Sequence, residues 1–219
     1  MKRPLIIVGA GGHARVLLDA LESSGEEVLF FTDPHPELAN GRCGRYVVHG
    51  SDDKIKKYIP DEVLLVNGVG STRDTGPRKA VYESFKKLGY AFSSVIHPAA
   101  VISPQAVLEE GVQIMAGAVL QTGCRIGKNT IINTRAAIDH DCQIGEHVHI
   151  APGAVLSGNV RIGNGTHLGI GVIILQGITV GANCLIGAGA VVTRDIPDGA
   201  VALGLPARIT NDTKPFPQS

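Results

Sequence analysis

The sequence predicts a chain in two unlike parts: an α/β, Rossmann-like half domain over residues 1–96 and an all-β parallel β-helix, a solenoid of hexapeptides, over residues 97–209, with a tail at 210–219. Three observations predict it. From Ile102 to Val192 an aliphatic residue falls at every sixth position, sixteen times without exception. Two residues before most of these stands a small residue, such as Ala106, Ala118, Cys124 or Thr130, and three residues after stands very often Gly, Asn or Asp. Ahead of the repeat, Leu5-Ile6-Ile7-Val8 runs into Gly9-Ala10-Gly11-Gly12 and then a helical pattern, giving the order strand, glycine turn, helix.

The repeat decides the second part. A helix needs apolar residues near every 3.6 positions and a half-buried sheet needs period two, so neither explains period six. Each hexad supplies one short strand and one turn. Three hexads close a triangular coil of about eighteen residues, and coils stack at roughly the 4.8 Å strand spacing with the aliphatic column filling the prism. Such a solenoid is a scaffold, and its chemistry has to come from residues mounted on it.

In the first part, Leu5 to Val8 reads as a buried parallel strand, and the helix after it carries Ala14, Leu17, Leu18 and Leu21 on one stripe. Glycines let backbone approach a ligand closely, and the helix N-terminus offers N–H groups to an anion. A second strand, Val28 to Thr32, ends at Asp33, at the distance where a carboxylate reaches a ribose or base. Gly9, Gly11 and Ala14 also satisfy the GxGxxG/A dinucleotide fingerprint. A dinucleotide fold needs two such halves and only one precedes the repeat. A nucleotide-bearing substrate is therefore favoured over NAD, beside the bland alternative of a tight turn with no ligand.

Further on, a strand is expected near Tyr46 to Val48, a short helix at Asp52 to Tyr58 and a strand at Val63 to Val66. Asn67-Gly68-Val69-Gly70-Ser71 then forms a second glycine-rich strand end, on the same side of a parallel sheet as the first. Pro77 starts a helix carrying Val81, Phe85 and Leu88, Ala91 to Ile96 reads as the last strand, and His97-Pro98 marks the junction.

Formal net charge is zero and the Lys and Arg residues are dispersed, which leaves no electrostatic footprint for nucleic acid or an anionic membrane. The apolar start is too short for a signal-peptide core, and no stretch approaches membrane-spanning length. Cys124, Cys142 and Cys184 fall in the small inward column and Cys43 in a polar loop. That is no disulfide framework, so a reducing cytoplasm is expected, and without CxxC pairing no metal is expected either.

The histidines of the solenoid are its chemical candidates. His140 falls at a turn with a carboxylate on each side, Asp139-His140-Asp141, and His149 follows nine residues later. A carboxylate bonded to one ring nitrogen fixes the tautomer and raises basicity, as a general base near neutral pH needs. For an isolated turn histidine, plain solvation is the competing reading. His149 and His167 are eighteen residues apart and are expected to lie one above the other on one face. Hexapeptide solenoids also carry trimeric zinc hydratases, for which His140, His147, His149 and His167 are conceivable ligands. That chemistry would leave the glycine loops without a job.

Several segments together carry a resemblance: Gly11-Gly12-His13-Ala14, His97-Pro98, Ile132-Asn133-Thr134, Ile138-Asp139-His140-Asp141-Cys142, Gly158-Asn159 and Gly204-Leu205-Pro206-Ala207-Arg208. With them the chain resembles, over nearly its whole length, the bacterial sugar acetyltransferases related to sialic-acid O-acetyltransferase and the bacillosamine-pathway N-acetyltransferase. The resemblance implies a left-handed β-helix and a homotrimer with active sites between adjacent solenoids. It also implies acetyl-CoA along the groove and a nucleotide-linked amino sugar on the N-terminal domain. By resemblance His140 is the general base, Asp141 supports it and Asn133 is an active-site asparagine. His149, Gly158, Ile170, Ala188 and Pro206 fall to the cofactor. Gly11, Gly12, His13, Asp33, Pro34, Gly68, Val69, Gly70 and Ser71 fall to the substrate.

Asp33-Pro34 departs from the two consecutive acids of some relatives, and the surroundings of Arg42, Arg45, Arg73 and Arg78 match no family pattern, so the choice among UDP, GDP and dTDP stays open. The expected reaction is direct acetyl transfer to an amino group, with a backbone N–H stabilising the oxyanion, which the resemblance assigns to Gly158. O-acetylation of a free sugar acid and a non-catalytic nucleotide-sugar scaffold are the alternatives.

Overall fold

The computed structural model describes residues 3–210. The chain forms two compact units, one running to Gly70 and resuming over Gly76–Pro98, the other holding Ser71–Thr75 and continuing from Ala99. The segment Ser71–Thr75, expected with the glycine loop, groups with the solenoid for a local reason. Ser71 Oγ lies 3.1 Å from His167 Nδ1, and Thr75 Oγ1 donates to the Gly165 carbonyl at 3.0 Å. Of the expected tail, residues 211–219 lie outside the described residues.

The N-terminal unit is a small α/β sheet built from β1 (Leu5–Val8), α1 (Gly12–Ser23), β2 (Val28–Thr32), β3 (Arg42–Cys43), β4 (Tyr46–His49), β5 (Leu64–Asn67) and α2 (Gly76–Lys87). The strand order is β3-β4-β2-β1-β5, with β3 antiparallel and the others parallel. Ile6 and Ile7 are both fully buried, since a parallel strand covered on two faces needs apolar residues without alternation. The α1 stripe Ala14, Leu17, Leu18 and Leu21 is buried as its spacing requires.

Three expectations change here. Asp52–Lys57 is a 3-10 rather than an α-helix, started by the Ser51 hydroxyl, which accepts from Asp53 N at 3.1 Å. The α2 stripe is Arg78, Tyr82 and Phe85, while Leu88 lies past the helix end and is half exposed. Aromatic packing turns the helix that way, with Tyr82 4.7 Å from Phe92 and Phe85 5.7 Å from Tyr90 between ring centroids. The expected strand Ala91 to Ile96 breaks into a bridge from Phe92 to Leu65 and a two-residue strand, Val95–Ile96.

The second unit is a parallel β-helix of two-residue strands, in which residues eighteen apart pair: Val119 with Ala137 and Leu120 with Ile138, for example. One sheet stacks strands from Val101–Ile102 to Val191–Val192, and another from Val107–Leu108 to Thr179–Val180. A third includes Gln113–Ile114, Ile131–Ile132, His149–Ile150, His167–Leu168 and Leu185–Ile186. It ends in Val201–Leu203 and the antiparallel Arg208–Thr210. Fully buried aliphatics of the inward column, Ile114 to Val192, each contribute about 1.5–3 kcal/mol.

The turns explain the strictness of the repeat. At every sixth residue from Gly111 to Gly189, fourteen positions in all, the backbone is left-handed. Eight are Gly, and Asn129, Arg135, Asp141, His147, Asn159 and Asn183 take the others. The small inward residues also hold polar groups: Cys124, Thr130, Cys142 and Thr166 each donate to a carbonyl fifteen residues onward, at 2.7 to 3.2 Å. Cys142 is therefore a packing thiol, and its Cys124 neighbour together with burial pushes its pKa up.

The outward residues of the first two sheets differ in character. On the first they are Val101, Val119, Ala137, Val155, Ile173 and Val191, apolar throughout, with Val101, Val155 and Ile173 exposed. On the second they are Val107, Arg125, Gln143, Arg161 and Thr179.

Candidate active site

His140 stands on the turn that leads from the first sheet to the second. Its backbone N–H donates to Asp139 Oδ1 at 2.8 Å, and its Nδ1 donates to Asp141 Oδ2 at 2.9 Å. Asp141 adopts the left-handed backbone, φ 60°, which aims its carboxylate back at the preceding ring. With the proton on Nδ1, Nε2 carries the lone pair. The Asp141 hydrogen bond, with Asp139 nearby, raises the imidazole pKa above 6.5. About half of the His140 side chain is exposed, so a substrate can reach it.

One coil onward, Gly158 lies against the ring. A Cβ at Gly158 would overlap His140 Nε2 and Cε1, so any side chain there would displace the ring from this position. Asn159 N donates to the His140 carbonyl at 2.8 Å and ties the two turns together. A Cβ at Gly123, one coil earlier, would likewise strike Asp141 Oδ1. The pair is thus mounted between two gaps in the side-chain lattice, a feature that only the eighteen-residue stacking reveals.

Asn133 lies on a different edge, on the turn from the third sheet to the first. Its Oδ1 accepts from Thr134 N at 2.8 Å, which directs the amide N–H toward His149 Nε2 at 3.2 Å. His149 and His167 stack edge to face with centroids 4.8 Å apart, as their spacing requires, and both are buried. Burial lowers the His167 pKa to about 4. With Ser71, Ile170 and Ala188 these residues line a cavity of about 600 Å³.

Within one chain, then, Asn133, His149, Ile170, Ala188 and Ser71 come together, and His140, Asp141 and Gly158 form a separate group. Pro206 is exposed in the turn before Arg208–Thr210.

In the N-terminal unit the substrate candidates also separate. Gly11 and Asp33 line a cleft of about 400 Å³ with Arg15 and Arg42. Asp33 is fixed there by its two oxygens, which accept from Ala10 N at 2.7 Å and His35 N at 2.9 Å. Pro34 follows it, exposed, and Gly12 opens α1. Gly68, Val69 and Gly70 instead pack on the first turn: Gly9, at φ 97°, leaves 3.2 Å between its Cβ position and Gly68 C, and Gly70 leaves 3.1 Å to His13 Cβ.

Arg78, one of the four arginines that match no family pattern, is part of the interior. It is 1% exposed, and its Nη1 donates to the carbonyls of Asn67 at 2.8 Å and Val69 at 2.9 Å. Burial pushes the guanidinium pKa down to about 9. Among the described residues no group of three or more His, Cys, Asp or Glu is arranged to hold a metal ion. No helix among them is long and apolar enough to cross a membrane.

The two units match known domains. Residues 4–85 match the PglD N-terminal domain, and residues 105–138, 123–158 and 159–194 match the bacterial transferase hexapeptide of six repeats. The acetyltransferase domain of PglB from Neisseria gonorrhoeae FA1090 is 36% identical, with a TM-score of 0.89 over 95% of this chain and 100% of that one. A histidine-to-asparagine variant of perosamine N-acetyltransferase from Caulobacter crescentus, solved with CoA and GDP-perosamine, is 34% identical with a TM-score of 0.88, covering 97% and 99%. UDP-N-acetylbacillosamine N-acetyltransferase of Bacillus subtilis (strain 168) is 37% identical over 112 residues, so the match spans 50% of this chain and of that protein. The chain belongs to the hexapeptide-repeat sugar acetyltransferases that carry a PglD N-terminal domain.

Proposed function

We propose that the chain transfers the acetyl group of acetyl-CoA to the amino group of a nucleotide-linked amino-deoxy sugar in the cytoplasm, as a homotrimer. The observation that carries the reading is the His140–Asp141 pair at 2.9 Å, with its basic nitrogen facing the side-chain gap at Gly158. The relatives support the substrate class: the Neisseria domain has been solved with acetyl coenzyme A, and the Caulobacter enzyme with CoA and GDP-perosamine.

In this mechanism the sugar amine attacks the thioester carbonyl while His140 Nε2 takes its proton. The oxyanion is held by the Gly158 N–H. The intermediate collapses with loss of the CoA thiolate, which receives the proton from the imidazolium. Holding both substrates together and positioning the base each supply part of the rate, the base about 10² to 10⁴.

Trimer formation is supported by the apolar outer face of the first sheet. That face lies between the edge bearing Asn133 and the edge bearing His140. Packing it around a threefold axis sets the Asn133 edge of one copy against the His140 edge of the next, and so joins the two groups that one chain keeps apart. The nucleotide end falls to the Gly11, Gly12, His13, Asp33 and Pro34 region of the N-terminal unit and to the Gly68 to Ser71 loop.

The test is CoA thiol release from acetyl-CoA with UDP-, GDP- and dTDP-linked amino sugars, with the product identified by mass spectrometry. Acetylated amine on one of them is expected. Turnover of a free sugar acid that no nucleotide inhibits would replace this reading with O-acetylation, and binding without CoA release would leave a scaffold.

A further inference from the structure

We propose that Arg78 is a positioning residue that sets both glycine loops of the N-terminal unit for the nucleotide end of the acceptor, a role that rests on the function proposed above. A buried cation is costly unless its donors are used, and few interior positions hold one. Here one nitrogen of the planar guanidinium is spent on backbone. Nη1 bridges the carbonyls of Asn67 and Val69, two residues apart, while the Asn67 amide returns a hydrogen bond to the Arg78 carbonyl at 2.9 Å.

The rest of the loop is fixed from the same side. Gly68 N donates to the Val8 carbonyl at 2.7 Å and Val69 N to Asn67 Oδ1 at 3.2 Å. With these groups turned inward, the stretch from Asn67 to Val69 has one arrangement. The first loop has to follow it, because the Cβ position of Gly9 is 3.2 Å from Gly68 and Val69 atoms, and that of Gly70 is 3.1 Å from His13. One guanidinium therefore sets the spacing of both strand ends at the carboxyl edge of the sheet, where open α/β sheets bind ligands.

Lysine keeps the charge on a compact ammonium without the guanidinium's planar geometry and reach, so Arg78→Lys separates charge from geometry. Expected for Arg78→Lys are a KM for the nucleotide amino sugar raised about tenfold, a kcat and an acetyl-CoA KM within about twofold of wild type, and faster amide exchange confined to the loops at Gly9 and Asn67 to Gly70. In Arg78→Ala, added guanidinium is expected to recover part of the lost sugar affinity. An unmoved sugar KM with unmoved exchange in Arg78→Lys overturns the role. So does loosening of the whole N-terminal unit with both KM values changed, which marks a merely structural residue. A wild-type chain that neither binds nor acetylates a nucleotide amino sugar sinks the functional reading and this role with it. Wild-type turnover beside an unmoved KM in Arg78→Lys sinks this role alone.

Discussion

The edge that carries His140 and the face that carries His149 and His167 are made of the same hexapeptide, yet they treat an imidazole in opposite ways. On the edge, the ring stands half in water with a carboxylate at 2.9 Å, and its pKa is raised. On the face, the ring of His167 is buried against a second imidazole and a serine hydroxyl, and its pKa falls to about 4. Environments that push like groups apart divide their tasks. The edge histidine is suited to taking a proton, and His167 to staying neutral and shaping a cavity.

The sharpest way to break that contrast is to remove the edge ring. His140→Ala is expected to lower kcat by about 10² to 10⁴ with the solenoid's circular dichroism intact. Wild-type-like turnover in the thiol assay would end its assignment as the base.

The buried ring makes a prediction on stability. Because the folded pKa of His167 lies below the unfolded 6.5, the unfolded chain takes up the proton first as pH falls. Stability is then full above pH 6.5 and declines down to about pH 4, by about 3 kcal/mol. Denaturant titrations across that window are expected to show the slope in wild type and to lose most of it in His167→Gln. An equal slope in both would place the acid sensitivity elsewhere.

Gly158→Ala tests the gap behind the edge ring. The new methyl meets a movable ring, so folding is expected to change little while the misplaced base costs about 10² in kcat. Turnover within about twofold of wild type would show that the ring has room to spare.

Asp141→Asn should act most gently. Asn tolerates the left-handed turn, so the main effect is loss of the charge that raises the His140 pKa. The acid limb of the pH–rate profile is expected to move to lower pH, toward 6.5, with kcat down about tenfold. An unshifted limb would remove Asp141 as the partner.

Much of this contrast was legible in the sequence, and for identifiable reasons. Period six from Ile102 to Val192 fixes the coil, and coil geometry then puts His140 on a turn and stacks His149 on His167. Contacts eighteen residues apart were open to the same arithmetic, but the glycine at 158 shows no sign of the ring it accommodates until that ring has a direction. The apolar outer column from Val101 to Val191 was present in the letters too, hidden because each member stands beside an inward aliphatic residue and the pair reads as one run.

Two residues were not recoverable. Burial of Arg78 runs against the polarity of its side chain, so an apolar-stripe reading of α2 chose Val81 and Leu88 instead. Ser71 follows two loop glycines and reads as part of their loop, whereas its partner, His167, is 96 residues away.

The left-handed turns spaced by sixes limit how such a protein changes length. Inserting eighteen residues adds one storey and leaves every column in line, whereas inserting six rotates all that follows by a third of a revolution. His140 would then arrive on another edge, its carboxylate still beside it but out of line with the coils that precede the insertion. Chains of this build should accordingly differ by whole storeys, with smaller edits confined to loops that leave the prism and return at the same corner.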